Sequence, residues 1–272
     1  MSEAPSISSS TKLNKVLYKI YPKTLFVGQI IQYLPSCQST NDEASALIAQ
    51  RDPEAGTLVI TNHQMAGRGQ RGNQWEAQAG QNITFSLILK PTFLSATEQF
   101  WLNIAISLGI HDGLQPLIGD SLRIKWPNDL YVNDQKLGGI LIENILHGHH
   151  IAWSVVGMGI NVNQTEFGYS RATSLQLQNP LPNAYDLPGL ISRLCETLEQ
   201  RYLQLLSGQR STLKDSYLRL LYRYQQAHNF EASGHTFRGT ITGIDPTGRL
   251  AISTDNQVRY FDFKEVSFRS DE

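Results

Sequence analysis

Cysteine is nearly absent: Cys37 and Cys195 stand alone in 272 residues, far apart, and neither belongs to a C-x-x-C pair. That excludes a disulfide-stapled framework and a thiolate metal site, and it favours a reducing, cytoplasmic setting. Net charge is nearly absent too. Lys and Arg number 23 against 24 Asp and Glu, so no global basic field draws in a nucleic-acid backbone, and DNA is not an expected partner. No apolar run reaches the roughly 18 to 20 residues that cross a bilayer, and no membrane partner is expected. The Ser-rich start, Met1 to Lys12, lacks the apolar core of a secretion signal, and residues 1–15 read as a disordered tail. No internal repeat appears at solenoid periods.

What is present fills one large unit and one small one, at roughly 100 to 200 residues per domain. Thr24 to Tyr33 alternates as a strand that breaks at Pro35-Ser36, and the spacing of Thr40 and Glu43 predicts a capping box for a helix through Gln50. Gly56 to Thr61 and Asn82 to Leu89 read as strands, with a glycine-rich loop, Ala66 to Asn73, between them. Ser95 to Glu98 forms a second capping box before a buried helix, Phe100 to Leu117. Strands follow at 122–125, 130–133, 139–146 and 151–162, then two helices within 187–223 interrupted near Ser207-Gly208. The fold class is α+β, a mixed sheet in residues 16–224. Short alternating strands at 236–244, 249–254 and 258–263 then make residues 225–272 a small SH3-like β-barrel.

Three stretches carry chemistry. Gly67-Arg68-Gly69-Gln70-Arg71-Gly72, flanked by Gln64 and Trp75, combines glycines that admit an anion with forked arginine donors, although a solvated basic turn would look the same. Lys125-Trp126-Pro127-Asn128-Asp129 sets a rigid turn and an aromatic face beside Lys136-Leu137-Gly138-Gly139, where an ammonium is poised over a pocket wall; an ordinary turn and a surface cation compete with that reading. Gly157 and Gly159 share one face of the apolar strand Val155 to Val162, which points to a ligand or another backbone lying against it. His147, His149 and His150 fall in a hairpin with no cysteine or acidic helix at ligand spacing, so no metal site is expected. Ser39 lacks a G-x-S-x-G elbow and suits a helix cap.

Together with Ser39-Thr40-Asn41, these stretches in this order resemble the biotin protein ligase (holocarboxylase synthetase) family over roughly residues 30–165, continued by the C-terminal barrel. The resemblance implies a class II synthetase-like, biotin/lipoate ligase type of catalytic domain. It implies activation of biotin by ATP, with Mg2+, to biotinyl-5'-adenylate, then transfer to a lysine of the biotin carboxyl carrier domain of acetyl-CoA carboxylase or a related carboxylase. By similarity Ser39, Thr40 and Gln64 would hydrogen-bond the biotin ring, and Gly157 and Gly159 would leave space for its apolar part. Asn41, Gly67, Gly69, Gln70 and Gly139 complete the biotin set. Arg68 and Lys136 would contact the carboxylate and phosphate, with Asp129 orienting or deprotonating the acceptor amine. Arg71, Trp75, Trp126, Asn128, Asn161 and Arg269, with Lys136, would form the adenylate site. One departure stands out: many relatives carry Arg at the position of Gln70, thought to hold the adenylate loop closed, and Arg71 or Arg269 would have to compensate.

Rival readings are a lipoate ligase or octanoyl transferase of similar fold, a biotin-responsive repressor, and a binding protein without chemistry. Only about 25 residues precede the first expected core strand, too few for a helix-turn-helix. The paired cations Arg68 and Lys136 speak against a pure binder. A monomer or weak homodimer is expected.

Overall fold

Alternating apolar residues and tight turns fold the chain into two sheets in the computed structural model, which describes residues 20–169, 171–255 and 257–269, the side chain of Arg71 excepted. The expected tail at 1–15 lies outside the described residues. The strands are β1 (Ile31–Cys37), β2 (Leu58–Gln64), β3 (Gly67–Arg68), β4 (Gln74–Trp75), β5 (Ile83–Leu89), β6 (Leu122–Lys125), β7 (Asp129–Val132), β8 (Gln135–His147) and β9 (His150–Ile160). Seven of them form the main sheet in the order β1-β2-β5-β9-β8-β7-β6. β1 and β2 pair in parallel across a helical crossover, and the other pairs are antiparallel. The sheet is mixed for that reason.

The helices are α1 (Thr40–Arg51), α2 (Gln99–Ile118), the single turn α3 (Leu175–Gln178), α4 (Leu187–Leu206) and α5 (Arg210–Leu220). α2 and α4 approach closely because a Cβ on Gly109 would sit 2.8 Å from the Leu198 Cα. Strand alternation sends Phe85, Leu87 and Val156 into the main core with α2 and α4, while Ile88 and Val155 turn to the other face, where Ala44 of α1 covers them. The first turn of α1 therefore stands over the sheet beside Ser86 and Gly157. This placement is what builds the site.

Two local expectations change. The first strand starts at Ile31, not Thr24, and runs through Pro35 and Ser36. β1 is a sheet edge, where a residue without an N–H is tolerated, and the register passes from Leu34↔Thr61 to Ser36↔His63 around Pro35. The segment before it is gathered instead by Glu199, 6% exposed, whose carboxylate accepts the backbone N–H groups of Leu25, Phe26 and Val27 at 2.7, 2.8 and 3.0 Å. Glu199→Ala leaves those three donors unpaired, at a cost of about 3 kcal/mol. Urea unfolding checks this, with a lower midpoint at unchanged slope as the expected result. The second change concerns the capping boxes. The one at Ser95 and Glu98 forms, the Glu98 carboxylate accepting the Ser95 N–H at 3.0 Å. The one at Thr40 does not: Ser39 is the N-cap, and Thr40 turns its hydroxyl toward Ser86 and Gln64 inside the sheet.

Past α5 the chain forms the second sheet, antiparallel and five-stranded, from β10 (Ala227–Ala232), β11 (His235–Ile244), β12 (Leu250–Ser253), β13 (Val258–Phe261) and β14 (Ser267–Phe268). This is the SH3-like unit, and the sequence reading lacked its first and last strands. It docks through Trp126, whose indole N–H donates to the Gly248 carbonyl at 2.9 Å, while the Phe263 ring lies 5.3 Å from the Trp126 ring. Gly248 is required here twice over: its φ is +94, and a Cβ would fall 2.2 Å from Phe100 Cγ. Among the described residues no helix is long and apolar enough to cross a membrane.

Candidate active site

Register lines up small residues from three neighbouring strands. Gly159 of β9 pairs with Gly139 of β8 and Thr84 of β5, and Gly157 pairs with Leu141 and Ser86. Thr84, Gly139, Leu141, Gly157 and Gly159 of these rows form the floor of a cavity of about 220 Å³, walled by the start of α1, by the β3–β4 hairpin and by the turn before β7, with Ser86 buried beneath. The glycines are indeed sites of close approach, but what approaches is this chain. A Cβ on Gly157 would lie 2.3 Å from Asn41 Oδ1, and one on Gly159 would lie 2.3 Å from Trp75 Cε2. Both glycines line the cavity, and they also seat Asn41 and Trp75, which shape it.

At one end a hydrogen-bond chain runs from Gln64 inward. Gln64 Oε1 accepts the Thr40 N–H at 2.8 Å, the Thr40 and Ser86 hydroxyl oxygens are 2.8 Å apart, and Ser86 Oγ donates to Asn41 Oδ1 at 2.6 Å. A serine hydroxyl holds one hydrogen. Both the Thr40 oxygen and Asn41 Oδ1 stand within reach of that hydrogen, and the Thr40 hydroxyl itself donates to Gln64 Oε1 at 3.3 Å. Asn41 Nδ2 gives its two hydrogens to Glu143 Oε2 at 2.7 Å and to the Leu141 carbonyl at 3.3 Å. Asn41 is thereby used up inside the protein.

At the other end Lys136 Nζ lies 2.7 Å from Asp129 Oδ1, both side chains about three-quarters shielded. Asn128 donates from Nδ2 to the Ile140 carbonyl and accepts the Ile140 N–H at 2.9 Å on its own carbonyl, so the turn is locked onto β8. The expected loop at 66–73 is a short hairpin: Gly67 pairs with Trp75 and Arg68 with Gln74, around a 3-10 turn at Gln70–Gly72. Arg68 reaches across to Glu143 and Asp42. The Trp75 indole N–H is buried without a hydrogen-bond partner, a donor that a ligand oxygen would satisfy.

The structure thus brings Ser39, Thr40, Asn41, Gln64, Arg68, Gly69, Gln70, Trp75, Asn128, Asp129, Lys136, Gly139, Gly157 and Gly159 to one cavity. Gly67 sits just behind it, where a Cβ would meet the Trp75 carbonyl oxygen at 2.2 Å. The Arg71 side chain lies outside the described residues. Trp126, Asn161 and Arg269 do not line the cavity: Trp126 is buried under the small sheet, and Asn161 bonds Thr173 O at 2.9 Å, tying β9 to α3. Arg269 pairs with Glu231 beside a second cavity of about 690 Å³ that also holds Arg123, Lys125 and Arg223. Sequence reasoning passed over Glu143, Ser86, Thr84 and Asp42, none of which carries a local pattern. Among the described residues no group of three or more His, Cys, Asp or Glu could hold a metal ion.

Lys125 lies under this second cavity, its ammonium 3.0 Å from Tyr131 Oη and over the Phe268 ring. Burial pushes its pKa down to about 8 against the pull of Asp129. Between about 8 and the ordinary 10.5 the unfolded chain holds this proton and the folded chain does not, so the group's contribution to stability rises with pH across that window. Cys195, pushed up to about 12 by burial, acts in the opposite sense above pH 9. Comparing wild type with Lys125→Met cancels the Cys195 contribution. The unfolding free-energy difference should move in favour of wild type from pH 8 to pH 10, and a flat difference would contradict the assignment.

Two family models match the chain. The model described as the biotin/lipoate A/B protein ligase family matches residues 33–161, and the one described as the biotin protein ligase C terminal domain matches residues 229–269. The chain is 30% identical over 260 residues to the bifunctional ligase/repressor BirA of Bacillus subtilis, covering 93% of this chain and 78% of that one. It is 30% identical over 219 residues to the biotin--[acetyl-CoA-carboxylase] ligase of Mycobacterium tuberculosis, covering 79% of each. The biotin protein ligase from Aquifex aeolicus, solved with biotin and ATP, shares the fold with a TM-score of 0.73 at 22% identity, over 88% of this chain and 98% of that one.

Proposed function

The chain belongs to the biotin protein ligase family and activates biotin with ATP for transfer to a protein lysine; we propose that the cavity between α1, the β3–β4 hairpin and β7 carries both half-reactions. The observation that supports this most is the convergence of four sequence-distant motifs on one cavity with hydrogen-bonding groups at one end and the Lys136–Asp129 pair at the other. Biotin is a molecule of matching polarity, with a ureido ring at one end and a carboxylate at the other.

In this reading the ring lies against Ser39, Thr40 and Gln64, with the Thr40 oxygen accepting a ureido N–H. Unmatched polar groups there would cost binding, which makes the pairing selective. The carboxylate is then directed at Lys136. A carboxylate oxygen attacks the α-phosphorus of ATP, the bond to the bridging oxygen breaks, and pyrophosphate leaves. Two anions must meet for this, and Lys136 offsets their repulsion, with Arg68 adding positive charge from the hairpin side. In the second step the acceptor amine attacks the carbonyl carbon and the C–O bond to AMP breaks. A free lysine holds its proton up to about pH 10.4, and in this reading Asp129 orients the amine or takes its proton. Asp129→Asn should then slow transfer from preformed adenylate more than adenylate formation; equal slowing would assign Asp129 only to holding Lys136.

The acceptor is a biotin carboxyl carrier domain, and Mg2+ accompanies ATP. In this reading the ion is held largely by phosphate oxygens, as Mg2+ usually is with a nucleotide. Adenylate contacts are proposed for Trp75 and Asn128. The small C-terminal unit, with its match to the biotin protein ligase C terminal domain, favours biotin over lipoate. The test is ATP-dependent incorporation of labelled biotin into a carrier domain with lipoate as competitor. Incorporation unaffected by lipoate is expected, and lipoate transfer in its place would move the chain to the other branch of the family.

A further inference from the structure

One carboxylate in the site belongs to none of the motifs. Glu143 stands on β8 with Gly139 and Leu141 on the same face. Its two oxygens receive both terminal nitrogens of Arg68, Nη1 to Oε1 at 3.1 Å and Nη2 to Oε2 at 2.8 Å, and Oε2 also accepts Asn41 Nδ2 at 2.7 Å. An exposed ion pair is weak by itself, and Asp42, a single contact to Arg68 at 2.7 Å, is 56% exposed on its side chain. The Glu143 contact differs in kind. It is forked, and it is braced by a donor whose own orientation is fixed by Ser86 and, through Ser86, by Thr40. Gly157 leaves Asn41 the room to reach it.

Arg68 in turn is part of β3, whose partner β4 contains Trp75. Fixing the guanidinium therefore fixes the hairpin, and with it the indole that lies on Gly159 next to Lys136. Resting on the ligase reading above, we propose that Glu143 is a positioning residue: it joins the ring-binding end of the cavity to the hairpin that closes the reacting end. A ligand donor accepted by Thr40 takes up the oxygen that otherwise competes for the Ser86 hydrogen, leaves that hydrogen to Asn41 Oδ1, keeps Asn41 turned toward Glu143, and so keeps Arg68 clamped. Ring recognition and closure over the adenylate are one coupled event. The chemistry recognised is a small cyclic N–H donor carrying a carboxylate on a chain.

The test uses the full chain and the variants Glu143→Ala, Glu143→Gln, Arg68→Ala and the double variant with alanine at both positions. Biotin KM and kcat for adenylate formation, the lifetime of enzyme-bound adenylate, and the unfolding midpoint are measured for each. Glu143→Ala is expected to raise biotin KM by about tenfold and shorten adenylate lifetime by a similar factor, with the unfolding midpoint unmoved, because a forked charged contact is lost at a partly exposed site. Glu143→Gln keeps one acceptor oxygen in place of two, enough for part of the Asn41 and Arg68 contacts, and should fall between. The double variant should be no worse than Arg68→Ala, since both remove one clamp. Additive losses, or wild-type constants in both Glu143 variants, would overturn the coupling while leaving the ligase reading intact. A wild-type chain that forms no biotinyl adenylate would instead overturn the ligase reading on which it rests.

Discussion

Replacing Lys136 with alanine should slow biotinyl-adenylate formation by about a hundredfold or more, the usual loss when a preorganised charge donor is removed from a shielded site. The geometry gives two reasons for an effect of that size. Lys136 stands at the cavity floor, its ammonium 2.7 Å from Asp129 and 3.4 Å from where a Cβ on Gly139 would lie, so its loss withdraws positive charge from the place where carboxylate and phosphate meet. It also leaves the Asp129 carboxylate uncompensated in the same space, turning an attractive pair into a repulsive single charge. Biotin binding itself should fall less than the rate, because the ring contacts at Thr40 and Gln64 are at the other end. Single-turnover adenylation with saturating biotin separates the two. A Lys136→Ala rate within about threefold of wild type would remove Lys136 from the electrostatic role described.

Gly159→Ala is the second large effect, and an unusual one for adding a single methyl group. The new Cβ would be placed 2.3 Å from Trp75 Cε2 and 2.7 Å from its Nε1, a distance no pair of unbonded atoms sustains. The strand cannot yield, being paired on both sides to β5 and β8. The hairpin can, since each of its strands is only two residues long. Trp75 should therefore be lifted and the hairpin displaced, and a shift of about 1 Å in a closing element costs on the order of a hundredfold in rate. The unfolding midpoint should barely move. Gly109→Ala provides the contrast: its Cβ would meet the Leu198 Cα at 2.8 Å between two core helices, so stability should drop, by about 1 to 3 kcal/mol, before activity does. Tryptophan fluorescence of Gly159→Ala with and without biotin reads the displaced indole, and a variant with wild-type spectrum and rate would contradict the packing.

These effects show which parts of the molecule were legible in the sequence. The motifs were local in sequence and strong, and the structure gathers them in one cavity because β5, β8 and β9 bring their small residues into register. The close approach at Gly157 and Gly159 was also legible. Its occupant was not, since no spacing rule says that an asparagine 116 residues earlier will fill a strand glycine. Glu143 and Glu199 were invisible for a related reason: a lone carboxylate in a strand or helix looks like a solvated face, and only the fold supplies Arg68 and Asn41 for one and three backbone N–H groups for the other. Trp126 carried a real signal, an aromatic where a turn needs none, yet its indole serves the joint with the small sheet at Gly248. The strand Ala227–Ala232 escaped because Ala-His-Asn-Phe-Glu-Ala alternates weakly, and its pairing with β11 and β14 supplies what its composition lacks.

The central claim is that this cavity joins the carboxylate of biotin to the α-phosphate of ATP, and biotin-dependent exchange of labelled pyrophosphate into ATP measures that step without any acceptor protein. Exchange that requires biotin, is not supported by lipoate or octanoate, and falls by about a hundredfold in Lys136→Ala is the predicted result. No exchange with biotin, or exchange supported equally by lipoate, would contradict it.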